Sequence, residues 1–174
     1  MNQKKMKTDY KFLIKDVDDF PIKGVRFKDI SPLLASPLFK NAIQEMGNLV
    51  LKPDYWVGVE SRGFIFASAL AIEFGGGVVL CRKPGKLPGK IISKSYDTEY
   101  SSDQLSLQMG TGSVVIVDDV LATGGTLATV DKLCFFAGYN VQNHLVLIDL
   151  KYVPRSKYYL ETKIKTLKSL ISYE

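Results

Sequence analysis

Cysteine and histidine are scarce in this chain, which has two cysteines and one histidine among 174 residues. Cys81 and Cys134 lie far apart, each within an apolar run, and no C-x-x-C spacing is present. This pattern argues against a disulfide framework and against a cysteine-based metal site. We therefore predict that both thiols are buried and reduced.

Long apolar runs are also missing from the sequence. No run approaches the roughly 20 residues that a membrane-spanning helix needs. The N-terminal sequence MNQKKMKTDYKFLIKD lacks the apolar stretch of a signal peptide. We therefore expect a cytoplasmic protein that has no membrane as a partner.

A large excess of charge of one sign is absent as well. Lys and Arg number 23 against 18 Asp and Glu, which gives a net charge of +5 and a pI near 9.1. Such an excess is compatible with nucleic acid, a membrane surface or small anionic substrates, and by itself it favours no more than a basic surface. The content of 46% hydrophobic and 24% charged residues is that of an ordinary globular protein. We expect one domain over residues 1–174.

Short apolar runs alternate with helical segments from Tyr55 onward. The pattern predicts strands at 55–60, 78–83, 113–120 and 141–150, and helices at 63–75 and 126–138. Strands that are continuously apolar are typical of a parallel sheet covered by helices on both faces. The predicted fold is therefore α/β, with a mainly parallel twisted sheet flanked by helices.

The first third of the chain is irregular. A short helix is predicted within 9–19, an extended or looped segment at GVRFKDISPLL, and a helix that Ser36 and Pro37 open. A polar insertion at 84–112 interrupts the α/β pattern, and within it SKSYDTEY and QLSLQ can pair as a hairpin. Long polar insertions are usually lids or disordered segments, and the charges that flank this one favour a lid.

The most informative segment is the third predicted loop, which runs from Asp118 to Thr126. Its small residues and glycines open a helix, so that backbone N–H groups and the helix N-terminus can hold a phosphate. The acid pair Asp118 and Asp119 would repel a phosphate in the same pocket. Both carboxylates suit neutral hydroxyl groups beside it, such as a ribose diol, or Mg²⁺. Together these features describe a site for a sugar phosphate.

Basic residues follow the first two predicted strands of the sheet. Because ligands bind beyond the carboxyl ends of parallel strands, these cations and the third loop should meet at one edge. They are Arg62, Arg82, Lys83 and Lys86. Arg and Lys there form a second anion site. A ligand with a phosphate, a diol and further anionic charge is phosphoribosyl pyrophosphate.

The motif VVIVDDVLATGGT resembles the signature loop of the type I phosphoribosyltransferases. Narrower matches resemble the members of that family that act on adenine: FPIKGVRFKDISPLL, GVESRGFIFASAL, CRKPGKLPG, SYDTEY and the ending LISYE. The resemblance implies a purine-salvage enzyme that transfers the phosphoribosyl group of phosphoribosyl pyrophosphate to adenine, giving AMP and pyrophosphate. It also implies Mg²⁺, a homodimer, an N-terminal hood at about 1–35 and a flexible active-site loop at about 84–112.

The same resemblance assigns roles to individual residues. Arg62, Lys83 and Glu99 would be catalytic, and Ser61 with Arg62 and Lys83 would face pyrophosphate, often beside a cis Glu60–Ser61 peptide. The expected contacts of phosphoribosyl pyrophosphate or AMP are Ser61, Arg62, Arg82, Lys83, Lys86, Tyr100, Asp118, Asp119, Ala122, Thr123, Gly124, Gly125 and Thr126. The base would lie on the hood residues Arg26, Phe27 and Lys28. Glu99 is either an aid to proton movement on the base or a solvated carboxylate of the lid.

The chain departs from the family pattern at four positions. Lys23 replaces Pro, Arg26 replaces an aliphatic residue, Lys28 replaces Arg, and Ser101 replaces Gly. The first three bear on base affinity, although backbone groups and ring stacking should supply most contacts of the hood with the base. Ser101 can stiffen the lid, since Gly reaches backbone angles that Ser avoids.

Two other functions remain open at this point. One is a phosphoribosyltransferase for another base, namely hypoxanthine, guanine, xanthine or orotate, against which the hood sequence and ESRGF argue. The other is a phosphoribosyl-pyrophosphate-sensing regulator that binds nucleic acid. We expect no nucleic acid partner, because the hood leaves no room for a DNA-binding module. His144, inside the fourth predicted strand, is expected to be structural.

Overall fold

The computed structural model describes residues 8–97, 102–162 and 166–174. These residues group into two compact units, which divide between Ala42 and Ile43. Within the described residues, no helix has both the length and the apolar character needed to cross a membrane.

The first unit contains a small hairpin and the start of the first long helix. A 3₁₀ turn at Tyr10–Leu13 precedes β1 (Lys15–Asp18), β2 (Arg26–Asp29) and α1 (Ser31–Leu34), and α2 (Leu38–Gly47) begins here. The short helix predicted within 9–19 is present only as the 3₁₀ turn at Tyr10–Leu13, and β1 follows it. β1 pairs antiparallel with β2, which places Asp16 opposite Lys28 and Asp18 opposite Arg26. Opposite charges facing each other across the two strands favour the extended conformation over a helix.

The start of α2 agrees with its sequence. The Ser36 hydroxyl oxygen accepts a hydrogen bond from the Leu38 N–H at 3.1 Å. This bond satisfies one of the N–H groups that the first helical turn leaves without an intrahelical partner. The predicted cap at Ser36 is therefore confirmed.

The second unit is built on a five-stranded sheet. Its strands are β3 (Tyr55–Val59), β4 (Gly77–Cys81), β7 (Gly112–Leu121), β8 (Tyr139–Leu150) and β9 (Leu167–Tyr173). The spatial order is β4-β3-β7-β8-β9, and each neighbouring pair is parallel. The helices are α3 (Gly63–Phe74), α4 (Gly125–Ala137) and the short α5 (Ser156–Glu161). The predicted parallel α/β fold is confirmed, whereas α5 was not predicted.

The central strands carry the core. Val114 to Val117 in β7 and Leu145 to Ile148 in β8 are fully buried. Burial of successive residues, which point to opposite faces of the sheet, requires that both faces be covered. Cys81 and Cys134 are free and buried, as predicted. Burial raises the pKa of both thiols.

The polar insertion forms the predicted hairpin. Its strands, β5 (Ile91–Asp97) and β6 (Ser102–Gln108), pair antiparallel. Leu105 and Leu107 of β6 are buried in the main core cluster. Arg82 and Ser106 exchange backbone hydrogen bonds of 2.9 and 2.7 Å, which join β6 to the chain that follows β4. The base of the hairpin is thus anchored in the core, and residues 98–101, including Glu99, Tyr100 and Ser101, lie outside the described residues.

Truncation of Leu107 tests this anchoring. Leu107→Ala should lower the free energy of unfolding by about 2–5 kcal/mol, because it opens a cavity at a side chain with no exposed surface. The control is Leu51→Ala, at a side chain 81% exposed, which should change that free energy by less than about 0.5 kcal/mol. Urea unfolding measures both variants. Equal losses would show that the hairpin base is not part of the core.

Candidate active site

The carboxyl ends of β4, β3 and β7 lie side by side, because these strands are parallel neighbours. Glu60 to Gly63 follow β3, Arg82 to Lys86 follow β4, and the segment from Asp118 to Thr126 runs from the end of β7 into α4. These three segments are called, in that order, the first, second and third loops. The sheet brings them to one edge, as expected for an open parallel sheet.

An ion pair joins the first and third loops. The Arg62 Nη2 atom lies 2.8 Å from Asp119 Oδ2, and the Asp119 side chain is 8% exposed. The Asp119 N–H donates to Asp118 Oδ1 at 2.9 Å. At Gly63, a Cβ atom would lie 2.7 Å from the Val117 carbonyl oxygen and 3.3 Å from Asp118 Oδ1. A side chain at Gly63 would therefore collide with β7, so glycine permits this close approach.

Burial dominates the electrostatics of the acid pair. It raises the pKa of Asp118 well above the ordinary range, and the charge of Asp119 raises it further. Burial also raises the pKa of Asp119, while the Arg62 guanidinium opposes that shift. Hydroxyl donors or a divalent cation would stabilise the ionised forms of both carboxylates.

Glu60 connects the first and second loops, a role that the sequence reasoning did not identify. Its carboxylate accepts a hydrogen bond of 2.6 Å from the Lys83 N–H and lies 3.3 Å from Arg82 Nη2. Burial alone would raise the pKa of Glu60, but the hydrogen bonds from Lys83 and Arg82 bring it below its usual value. The position of Glu60 at the end of β3, two residues before Arg62, was the available signal.

Arg82 is held within the protein. Besides Glu60, its guanidinium donates to the Lys86 carbonyl oxygen at 3.4 Å and lies 5.8 Å from the centre of the Phe64 ring. These contacts fix the second loop against the first. The Glu60–Ser61 peptide is cis, as the resemblance implied.

The segment Ala122 to Thr126 turns into α4 through Gly124 and is called the phosphate loop after the role that the sequence predicts for it. Gly124 has a φ of 82°, and a Cβ atom there would lie 2.6 Å from the Cβ atom of Tyr158 in α5. Both the left-handed backbone and the close approach call for glycine. The Gly124 carbonyl accepts from the Ala128 N–H at 2.9 Å, which starts the helix directly after the turn. The N-terminus of α4 thus lies where an anion can accept from backbone N–H groups.

The predicted base-binding residues belong to β2 of the first unit. Arg26 Nε lies 2.8 Å from Asp18 Oδ1, and the buried Lys28 pairs with Asp16. Phe27 packs edge to face against Phe20, with ring centres 5.0 Å apart. The two cationic side chains therefore have carboxylate partners within the hairpin.

His144 is fully buried in β8, as expected for a structural residue. Its ring nitrogens lie 2.7 Å from the Tyr158 hydroxyl and 3.2 Å from Asp131 Oδ1. Among the described residues, no three side chains of His, Cys, Asp or Glu converge in a metal cage. Mg²⁺ is usually held by one or two carboxylates together with substrate phosphates. Asp118 and Asp119 fit that requirement as oxygen donors.

Comparison with known proteins shows the family to which the chain belongs. Residues 33–143 match the model of the phosphoribosyl transferase domain family. The adenine phosphoribosyltransferase of Bdellovibrio bacteriovorus is 44% identical over 86% of this chain and 93% of its own. The chain belongs to the adenine phosphoribosyltransferase family. Another such relative, from Hydrogenovibrio crunogenus, is 49% identical over 78% of this chain and 81% of its own.

Solved adenine phosphoribosyltransferases share the fold of this family member. The enzyme from Thermoanaerobacter pseudethanolicus superimposes with a TM-score of 0.84 at 36% identity, covering 94% of this chain and 97% of its own. The Giardia lamblia enzyme, complexed with 9-deazaadenine, gives a TM-score of 0.84 at 34% identity, covering 95% and 97%. The fold and the family predicted from the sequence are both confirmed.

The desolvated acid pair should reduce stability while it supports activity. A folded-state pKa above the unfolded value means that stability falls as the pH rises through the raised pKa of Asp118. Asp118→Asn removes the charge and keeps an oxygen for the Asp119 N–H. At neutral pH we expect a Tm increase of about 2–4 °C, the shift that about 1 kcal/mol produces at this size. Activity should fall at least about tenfold, because the ligand hydroxyls lose a charged acceptor.

The control for this variant is Asp54→Asn, directly before β3 at the other end of the strand. Hydrogen bonds from Ser113 lower the pKa of Asp54, so its ionised form favours the folded state and its loss should lower Tm. Activity should remain unchanged in this control. Scanning calorimetry and a turnover assay measure both variants. A lower Tm in Asp118→Asn, or unchanged activity, would contradict the role given to the acid pair.

Proposed function

We propose that the protein transfers the 5-phosphoribosyl group of phosphoribosyl pyrophosphate to adenine, giving AMP and pyrophosphate in purine salvage. The observation that carries this proposal is the order of groups at the sheet edge. The Asp118–Asp119 pair, in which Asp119 contacts Arg62, is followed after two intervening residues by the phosphate loop at the N-terminus of α4. Acceptors for a diol thus lie next to donors for a phosphate.

The sugar phosphate binds along this segment in our proposal. Backbone N–H groups of the phosphate loop, with the Thr123 and Thr126 hydroxyls, hold the 5-phosphate. Asp118 and Asp119 accept hydrogen bonds from the ribose hydroxyls, which stabilise the carboxylates in the ionised form. The raised pKa values of the pair therefore favour binding of a ligand that donates hydrogen bonds.

Pyrophosphate is the leaving group and faces the first two loops. Arg62 and Lys83 balance its negative charge as the bond to the anomeric carbon breaks. Ser61, Arg82 and Lys86 lie in the same loops. Glu60 keeps Arg82 and the backbone at Lys83 in place through its carboxylate. The substrate phosphates, with an oxygen of Asp118 or Asp119, would hold Mg²⁺, which would supply further positive charge.

The base binds in the hood, on the Phe27 ring and on backbone groups of Arg26 and Lys28. The pairing of the Arg26 and Lys28 side chains with Asp18 and Asp16 supports this division of roles. Glu99 assists proton movement on the base, and Tyr100 contacts phosphoribosyl pyrophosphate as the active-site loop closes. The Giardia lamblia relative is complexed with 9-deazaadenine, which also favours an adenine-like base.

A base panel tests the proposed reaction. Pyrophosphate release is measured with phosphoribosyl pyrophosphate, Mg²⁺ and each of adenine, hypoxanthine, guanine, xanthine and orotate. The value of kcat/KM for adenine should exceed that for every other base by at least about 100-fold, because a polar site rejects a base that leaves its groups unpaired. EDTA in excess of Mg²⁺ should abolish turnover, and added Mg²⁺ should restore it.

The outcomes of the panel separate the parts of the proposal. Preference for another base would contradict the base assignment and retain the phosphoribosyl chemistry. Binding of phosphoribosyl pyrophosphate without turnover of any base would indicate a regulator. Full turnover in EDTA would contradict the role of Mg²⁺.

The protein is proposed to act as a homodimer in the cytoplasm. Ile65 and Ile72 on α3 and Val78 and Leu80 on the edge strand β4 are exposed. Apolar side chains exposed on neighbouring elements are typical of an interaction surface.

Sedimentation velocity at micromolar concentration should show the mass of a dimer. A monomer mass at every concentration tested would contradict this assembly.

A further inference from the structure

A chain of buried polar groups lies behind the phosphate loop, and the proposed reaction does not use it. Asp131 belongs to α4, His144 to β8 and Tyr158 to α5, and each is at most 1% exposed. The His144 ring joins the other two, with Nδ1 at 2.7 Å from the Tyr158 hydroxyl and Nε2 at 3.2 Å from Asp131 Oδ1. Three elements that are separate in sequence are therefore connected through one imidazole.

A neutral imidazole next to an ionised carboxylate sets the direction of both hydrogen bonds. A carboxylate at Asp131 accepts, so His144 Nε2 carries the proton and donates to it. In the neutral ring Nδ1 is then an acceptor, and the Tyr158 hydroxyl donates. Burial raises the pKa of Tyr158, which keeps that hydroxyl protonated. Each ring nitrogen thus has a matched partner in a low-dielectric setting, where such bonds are strong and rigid.

Tyr158 connects the three hydrogen-bonded side chains to the phosphate loop. Its Cβ, Cγ and Cδ2 atoms lie 2.6 to 2.8 Å from where a Cβ atom of Gly124 would be. The tyrosine therefore packs directly against the backbone at the turn. A shift of Tyr158 toward the loop would push Gly124, and a shift away would leave that turn without support.

α5 is itself held firmly on both sides of Tyr158. Before the helix, the buried Arg155 lies 2.6 Å from Asp149 and donates to the Leu150 carbonyl oxygen at 2.7 Å. After it, the Thr162 hydroxyl donates to the Tyr158 carbonyl oxygen at 2.9 Å. These contacts anchor the backbone of α5, while the hydrogen bond to His144 orients the ring of Tyr158.

We propose that Tyr158, oriented by His144 and Asp131, is a positioning residue that fixes the phosphate loop for the 5-phosphate of the substrate. The inference rests on the proposed role of Ala122 to Thr126 as the phosphate loop. It assigns part of the affinity for the 5-phosphate to side chains that do not touch the ligand.

The test is Tyr158→Phe, which keeps the ring against Gly124 and removes the donor to His144. We expect KM for phosphoribosyl pyrophosphate and the Ki of ribose 5-phosphate to rise about tenfold, the effect of losing one buried hydrogen bond. The Ki of pyrophosphate, KM for adenine and kcat should stay within about twofold. A general loss of structure would instead change all of these quantities together. No change, or an equal change in all of them, would overturn the proposal.

Two further variants serve as a negative and a positive control for Tyr158→Phe. Glu161→Gln weakens the partly buried pair of Glu161 with Lys132, which also joins α4 to α5 at 2.6 Å, and it should leave every constant unchanged. Thr126→Ala lies in the phosphate loop and should raise the same two constants as Tyr158→Phe. Unchanged constants in Thr126→Ala would contradict the loop assignment itself. A rise in Thr126→Ala alone would contradict only the role of Tyr158.

Asp131→Leu tests the same hydrogen-bonded chain from its other end if Tyr158→Phe does not fold. Leucine has no acceptor for the His144 Nε2–H, so the proton is no longer held on Nε2 and Nδ1 is no longer fixed as the acceptor of the Tyr158 hydroxyl. The same selective rise in the constants for phosphoribosyl pyrophosphate and ribose 5-phosphate is expected. Constants equal to those of the unmodified protein would overturn the proposal.

Discussion

The parallel pairing of β7 between β3 and β8 is the constraint on which the site depends. Through it, Arg62 after β3 comes within 2.8 Å of Asp119 in β7. The approach is so close that Gly63 has no room for a side chain. On the other side of β3, Glu60 holds the chain after β4 through the Lys83 N–H. Cations and carboxylates from three strands are thus fixed before any ligand arrives, which lowers the cost of ordering them on binding.

Features coded by a short stretch of sequence could be predicted. The run from Val114 to Gly125 contains a buried strand, an acid pair and a glycine turn in the order in which the structure uses them. The cap at Ser36 and the hairpin of the polar insertion are equally local. Even the meeting of Arg62 with the acid pair followed from a rule about parallel strands.

Features that depend on contacts between distant residues could not be predicted. The helix expected within 9–19 is confined to Tyr10–Leu13 and β1 follows it, because the partners of Asp16 and Asp18 lie across the hairpin. The sequence predicts Arg82 as a ligand contact, but its pairing with Glu60 becomes visible only when β3 and β4 lie side by side. Tyr158 carried no signal at all, because its contacts with His144 and Gly124 cross from α5 to two other elements.

Two clusters of polar side chains near the phosphate loop suit different roles. One is suited to bind a ligand, and the other to hold the backbone of the loop in position. Asp119 is buried and Asp118 is partly buried, and desolvation raises the pKa of both carboxyls above the ordinary range, so their charged forms gain from a donor supplied by a ligand. The Asp131, His144 and Tyr158 chain, by contrast, meets the needs of both ring nitrogens within the protein. A carboxylate whose charge is not fully compensated favours ligand binding, since a hydrogen-bond donor on the ligand offsets the desolvation free energy of the charge. A satisfied polar chain gains nothing from a ligand, and its contribution is to hold a backbone in one place. The acid pair is therefore suited to contact substrate, and the histidine chain to support the loop that does.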